Sequence, residues 1–210
     1  DLFYSVKSGG SWGEVKLHEL TLDEPVGGMT LVGSNKAYFM SPFGDDIEEI
    51  GYAEKVGEEW GEKIKIESVS NDRYSDADPY VNSADNEMFF WSNRHDSLKG
   101  NNIYISKKVG GECGAPELLA EPINSDATDM QPFLYGNELY FSSDRGDGVI
   151  KIYKSERLGD NEWGGPEVVI RSKNGVGEPT LTADGETLCF VQIFNNGEQF
   201  NPDIMCMERK

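Results

Sequence analysis

The sequence predicts an all-β chain folded as a β-propeller of four-stranded antiparallel blades, and three observations carry that prediction. The apolar runs have strand length, not helix length: Met88-Phe89-Phe90-Trp91, Ile103-Tyr104-Ile105, Leu139-Tyr140-Phe141 and Leu188-Cys189-Phe190-Val191 are each bounded by polar turn residues. These runs return in the same order roughly every 50 residues, four strands to a unit. Finally, 24 glycines and 11% aromatics in 210 residues suit short strands closed by tight turns.

In chain order, residues 1–20 end a repeat instead of beginning one. Leu2-Phe3-Tyr4-Ser5-Val6-Lys7 matches Ile103-Tyr104-Ile105-Ser106-Lys107, and Gly9-Gly10-Ser11-Trp12-Gly13 matches the glycine-Trp-Gly turn of later units. A looser unit follows over about 21–70, with Ala37-Tyr38-Phe39-Met40 and Ile50-Gly51-Tyr52-Ala53 as its inner runs. The clearest units lie over about 71–122 and 123–172, and the last, over about 173–210, stops after Asp203-Ile204-Met205-Cys206-Met207 with no fourth strand. The strands therefore number two, three sets of four, and three. Five blades with the first and last incomplete is the favoured count for a single domain spanning 1–210; four blades with a spare edge strand, or a piece of a larger propeller, are the alternatives. An incomplete ring leaves edges for another chain to pair with.

The units share a pattern: an acid or amide before proline, a polar turn, a Leu-x-Phe-Ser-Ser-Asp-Arg run, then Ile-Tyr. Leu139 to Arg145 with Lys151-Ile152-Tyr153, and Asp78-Pro79 with Phe90-Trp91-Ser92-Asn93-Arg94 and Asn102-Ile103-Tyr104, show it best. This pattern resembles the TolB-type, WD-like β-propeller repeat. Residues 25–55 depart from it, since no Ser-Asp-Arg follows their second strand. The resemblance implies a protein-interaction platform more often than an enzyme, in a periplasmic, cell-surface or secreted setting.

Composition narrows the partners. A formal charge of −19 and a pI near 4.4 repel nucleic acid and anionic lipid, and favour a basic protein or peptide. No stretch approaches a membrane span, so no direct membrane insertion is expected. Three cysteines make no disulfide framework. Cys189 and Cys206 fall on adjacent strands, but the demands of cross-strand geometry weigh against a bridge. Cys113 takes the slot held by Trp12, Trp60 and Trp163 elsewhere; it is expected to be a buried small hydrophobe and the three tryptophans to pack between blades.

The innermost strands of a propeller line its central channel. The residues preceding the strand-initial prolines, Glu24, Asp78, Gln131 and Glu178, are therefore the candidate ligand-binding ring at its mouth. Three carboxylates and an amide converging on one axis would share protons, recruit a cation, or bind an amine or a Lys/Arg side chain; the competing role is to cap the amides of their own loops. Arg94 and Arg145 can offer a fork to a carboxylate ligand or, the favoured role, pair with an acid of the neighbouring blade. No cofactor is implied beyond a cation at that mouth. His18 and His95 are remote from each other, and no zinc spacing or Ser-His-Asp elbow can be assembled. The acid-rich loops around Asp45, Asp46 and Asp72 lack an EF-hand pattern, and the loop around Asn196, Glu198 and Phe200 is ordinary loop chemistry before it is a sugar contact.

The expected function is thus a non-catalytic binding module with an acidic channel mouth. A five-bladed glycoside hydrolase using channel carboxylates is the first alternative, and a purely structural domain of a larger envelope protein is the second.

Overall fold

The computed structural model describes residues 1–44, 47–95, 100–195, 197 and 199–209; Asp45, Asp46, Asn196 and Glu198 of the two loops named above lie outside them. The fold is all-β, with four antiparallel sheets arranged as the blades of a propeller. Blade 1 contains Gly27–Val32, Lys36–Ser41 and Glu49–Val56, with Glu59–Trp60 and Ile64–Lys65 as two short pieces of its outer strand. Blade 2 repeats this arrangement with Asp76–Val81, Glu87–Ser92, Asn102–Val109, Glu112–Cys113 and Glu117–Leu118. Blade 3 consists of Asp129–Tyr135, Glu138–Ser143, Lys151–Glu156 and Glu167–Ile170. Blade 4 has three strands, Val176–Leu181, Thr187–Asn195 and Phe200–Glu208. The one helical element among the described residues is a 3-10 turn, Glu19–Thr21, far too short to cross a membrane.

Residues 3–17 form a hairpin with the register of an outer blade half. Lys7 faces Trp12 and Tyr4 faces Lys16, as Lys55 faces Trp60 and Tyr52 faces Ile64 in blade 1, and as Lys108 faces Cys113 and Ile105 faces Glu117 in blade 2.

Successive blades bury the faces between them. Phe89, Ile103 and Ile105 of blade 2 pack with Leu139, Phe141 and Trp163 of blade 3; Tyr38 and Ile50 of blade 1 pack with Met88, Phe90 and Tyr104 of blade 2. Burial of these side chains is the main favourable term, at about 1.5–3 kcal/mol each. Every residue of the hairpin's four short strands is exposed, as is every residue of Phe200–Glu208, because neither face has a blade against it.

That difference corrects one expectation. Trp163 is 4% exposed and meets Phe89 of blade 2 edge-on at 6.3 Å, and Trp60 packs against the blade 1 cluster. Trp12, in the same slot, is 69% exposed, with no described blade packed over it.

The two Ser-Arg motifs also pair differently from expectation. Arg145 donates to Asp129 at 2.6 Å and to the Ile123 and Pro122 carbonyls, while its Nε reaches Ser143 at 3.0 Å. Arg94 does the same with Asp76, the Val69 carbonyl and Ser92. Both acids lie on the first strand of the arginine's own blade and have no exposed surface. Each guanidinium also lies over two rings, Phe141 and Tyr153 or Phe90 and Tyr104. The reason is reach: an arginine just past the second strand lies over its own sheet, so the nearest buried acid belongs to the adjacent first strand.

Blade 1 solves the same place without charge. Val26, Phe43 and Gly51 stand where blade 2 has Asp76, Arg94 and Tyr104, and the Phe43 ring stacks on Phe39 and fills the space over Gly51. At the equivalent positions blade 4 carries a buried Val176, with Phe194 and Met205 38% and 40% exposed.

A clasp between blades, missed in the sequence, uses a cation at or just past the end of the third strand in blades 2, 3 and 4. Arg157 of blade 3 makes a bidentate bond to Glu87 of blade 2 at 2.7 and 2.9 Å, and Arg209 of blade 4 pairs with Glu138 of blade 3. Lys108 of blade 2 reaches Tyr38 of blade 1 and Asp85, since blade 1 has Lys36 at the acceptor position. The signal was visible as a cation before glycine in Lys55-Val56-Gly57, Lys108-Val109-Gly110 and Arg157-Leu158-Gly159.

Cys189 and Cys206 form a disulfide, contrary to expectation. They are directly opposed across the second and third strands of blade 4, which brings their Cα atoms to 4.1 Å and their sulfurs within reach of each other. Cys113 is a free thiol, half-buried against the blade 1–2 cluster, and burial pushes its pKa up.

Candidate functional site

The first strands of all four blades meet at one groove of about 740 Å3. Each strand carries a bulge at the same step, where its pairing with the second strand shifts register: between Gly27 and Thr30, Ala77 and Tyr80, Met130 and Phe133, and Gly177 and Thr180. The residue opening each bulge has a positive φ: Gly28 at 51°, Asp78 at 49°, Gln131 at 55° and Glu178 at 55°. Three of the four are not glycine, and left-handed backbone costs such residues on the order of 1–3 kcal/mol. The bulge re-aims these side chains, and Asp78, Gln131 and Glu178 all line the groove.

Glu24 is not among them. It lies ahead of the first strand, accepting from the Gly44 amide at 2.7 Å and the Ser41 hydroxyl at 3.2 Å, and it borders a separate cavity with Trp60 and Lys63. The blade 1 counterpart of Asp78 is Gly28. Spacing to the second strand carried the signal: Asp78 precedes Met88 by ten positions, Gln131 precedes Leu139 by eight and Glu178 precedes Leu188 by ten, whereas Glu24 precedes Ala37 by thirteen and Gly28 precedes it by nine. Arg94 and Arg145 are likewise away from the groove, with their donors taken as described.

Glycine at 28 is a requirement of its neighbour. A Cβ there would stand 2.6 Å from Asp78 Oδ1 and 2.8 Å from its Cα, on a backbone that already has positive φ. Gly28→Val should therefore destabilise the fold by more than 1 kcal/mol, about the floor for a side chain forced into positive φ, and should displace Asp78; a lowered urea midpoint and a shifted Trp91 indole resonance are the readouts.

Asp78 is half-buried and accepts the Trp91 indole N–H at 2.7 Å through Oδ2. Burial, with smaller contributions from Glu178 and Glu48, pushes its pKa up to about 6 against the pull of that hydrogen bond. Glu178 is linked to Gln131: its amide donates to Gln131 Oε1 at 3.0 Å, and Gln131 Nε2 donates to Glu178 Oε1 at 3.5 Å. Partial burial also raises the Glu178 carboxyl above its usual range. The walls are apolar, formed by Met29 and Met40 from blade 1, Tyr80 from blade 2, and Phe133, whose ring lies 4.7 Å from that of Tyr80. Tyr80 is fixed by donating its hydroxyl to the Leu134 carbonyl at 2.5 Å. No group of three or more metal-ligating side chains occurs among the described residues.

The sequence matches no protein-family model and no curated protein. The fold resembles several solved structures. TolB from Acinetobacter baumannii is 19% identical with a TM-score of 0.58, over 86% of this chain and 41% of that one. A TolB from Agrobacterium tumefaciens is 15% identical with a TM-score of 0.57, over 83% and 57% respectively. The catalytic domain of a Coprinopsis cinerea GH62 α-L-arabinofuranosidase is 8% identical with a TM-score of 0.54, over 91% and 66%. At these identities the likeness establishes a TolB-like β-propeller fold. The chain spans 41% and 57% of the two TolB proteins.

Proposed function

We propose that the chain is a non-catalytic binding module that holds a basic protein or peptide in its central groove. The carrying observation is that three blades spend left-handed backbone at one equivalent position, and that Asp78, Gln131 and Glu178 there share an apolar-walled groove. Strained residues persist only where the surrounding structure over-determines them, and they cluster at ligand sites. The net charge of −19 adds a long-range attraction for cationic partners. A small cation at the groove mouth is the competing occupant.

Three further elements belong to this reading. The chain forms a five-bladed propeller in which the hairpin and blade 4 are the incomplete members. The free edge of Phe200–Glu208 is where a strand of another chain pairs. The location is the periplasm, cell surface or exterior, supported by the Cys189–Cys206 disulfide, since such bridges persist in oxidising compartments.

The test is a titration of short basic, neutral and acidic peptides at low and high ionic strength. Basic peptides are expected to bind, with affinity falling about tenfold or more as the Debye length shrinks from ~30 Å at 0.01 M to ~3 Å at 1 M salt. Binding that ignores both peptide charge and salt contradicts the reading.

A hydrolase reading has one observation in its favour: an aspartate with pKa near 6, electrostatically coupled to Glu178, is the kind of pair a glycosidase uses as acid and base. Hydrolysis of an aryl glycoside that Glu178→Gln abolishes would favour it over the binding module.

A further inference from the structure

We infer that the central groove contains a subsite for a single lysine side chain, with Asp78 as the seat of the ammonium group. The inference rests on the proposed binding function and specifies which residue of a basic partner the groove selects.

The first argument is shape. The groove is lined by Met29, Met40, Tyr80 and Phe133 and carries its acids at one level, that of the bulges. An amphipathic side chain satisfies such a site by laying its stem on the apolar wall and its charge at the polar level. Methionine walls adapt to an unbranched stem, and the Tyr80 and Phe133 rings offer faces to a passing cation.

The second argument separates lysine from arginine. A guanidinium binds a carboxylate best through two parallel N–H bonds, which needs both oxygens free. Asp78 has Oδ2 committed to the Trp91 indole, leaving Oδ1, which lies beside the side-chain-free Gly28. One available oxygen suits the point charge of an ammonium group. Glu178 is similarly divided, with Oε1 held by Gln131. Two one-oxygen acceptors on different blades match three rotatable donors better than a rigid fork.

The third argument is charge. The charged groups that act on Asp78 are Glu178 and Glu48, both acids, so no cation on the described residues neutralises it. The two candidate arginines, Arg94 and Arg145, are paired within their own blades. An incoming ammonium group therefore supplies the countercharge. Because the carboxylate must be ionised to receive it, and burial holds Asp78 near pKa 6 in the free protein, affinity is full above about pH 7. Affinity falls with pH below 6, by up to about tenfold per unit.

The experiment follows the Trp91 indole N–H resonance while the whole chain is titrated with Nα-acetyl-lysine methylamide, its norleucine analogue and its arginine analogue. The expected result is a saturable shift with the lysine compound at pH 7.5, at least tenfold weaker binding of the other two, and loss of the lysine response at pH 5. Asp78→Asn retains an acceptor for the Trp91 indole, so the fold is expected to persist while the lysine response falls at least tenfold. Equal responses to lysine and norleucine, or a lysine affinity unchanged between pH 7.5 and 5, overturn the inference. If basic peptides bind the chain while the lysine compound does not, the subsite falls and the binding module stands; if neither binds, both fall.

Discussion

Replacing Arg145 with Leu is expected to lower the stability of the chain by about 3–5 kcal/mol, the usual cost of removing one partner from a buried ion pair. Asp129 has no exposed surface, and its Oδ1 accepts from Arg145 at 2.6 Å. The guanidinium also satisfies the Pro122 and Ile123 carbonyls of the segment leading into the blade. Losing the arginine leaves Asp129 Oδ1 and two carbonyls without that donor, while Oδ2 keeps the Ser125 amide and hydroxyl at 2.8 Å. The chain itself contains the rescue, because blade 1 fills the equivalent place with Val26, Phe43 and Gly51. The triple change Asp129→Val, Arg145→Phe and Tyr153→Gly is thus expected to recover much of the loss, since well-packed apolar replacements of buried pairs are often neutral and a Phe there needs the side-chain-free position that Gly51 provides in blade 1. Urea denaturation of the single and triple variants is the check; a triple variant no more stable than the single would show that the three-way swap is not transferable between blades.

The second large effect is a contrast between two chemically identical changes. Trp163→Ala should cost about 3–5 kcal/mol, because the indole is almost fully enclosed between blades 2 and 3 and supports the cluster of Phe89, Leu139 and Phe141. Trp12→Ala, at the same repeat position but 69% exposed, should stay within about 0.5 kcal/mol. Thermal or urea melts of the two variants separate the cases, and equal losses would mean that the hairpin face is covered in solution.

The pair also shows what a repeat can and cannot reveal. Periodicity exposed the blades, since strand-length apolar runs in fixed order depend on local composition. It also put Asp78, Gln131 and Glu178 on first strands, because proline marks that place in each unit. What periodicity hides is which copy has a neighbour, and so Trp12 and Trp163 read alike. Glu24-Pro25 imitated the motif by composition, and only the distance to the next strand distinguishes it from Gly28. The arginines were assigned to an acid of the neighbouring blade because sequence carries no direction for a long side chain, and nothing in the repeat marks Asp76 and Asp129, two residues ahead of each bulge, as their partners. The clasp cations were legible in hindsight as a cation before glycine, but their acceptors lie about 70 positions away on the preceding blade.

Of the four residues taken from the proline motif, the structure brings three to one groove, and the account stands or falls on that distinction. The most direct measurement compares the affinity of one basic peptide for the parent chain, Glu178→Gln and Glu24→Gln. The account predicts that Glu178→Gln weakens binding about tenfold, the loss of a charge-assisted contact worth about 1.4 kcal/mol, while Glu24→Gln leaves it unchanged. Affinity that drops with Glu24→Gln and ignores Glu178→Gln would contradict it.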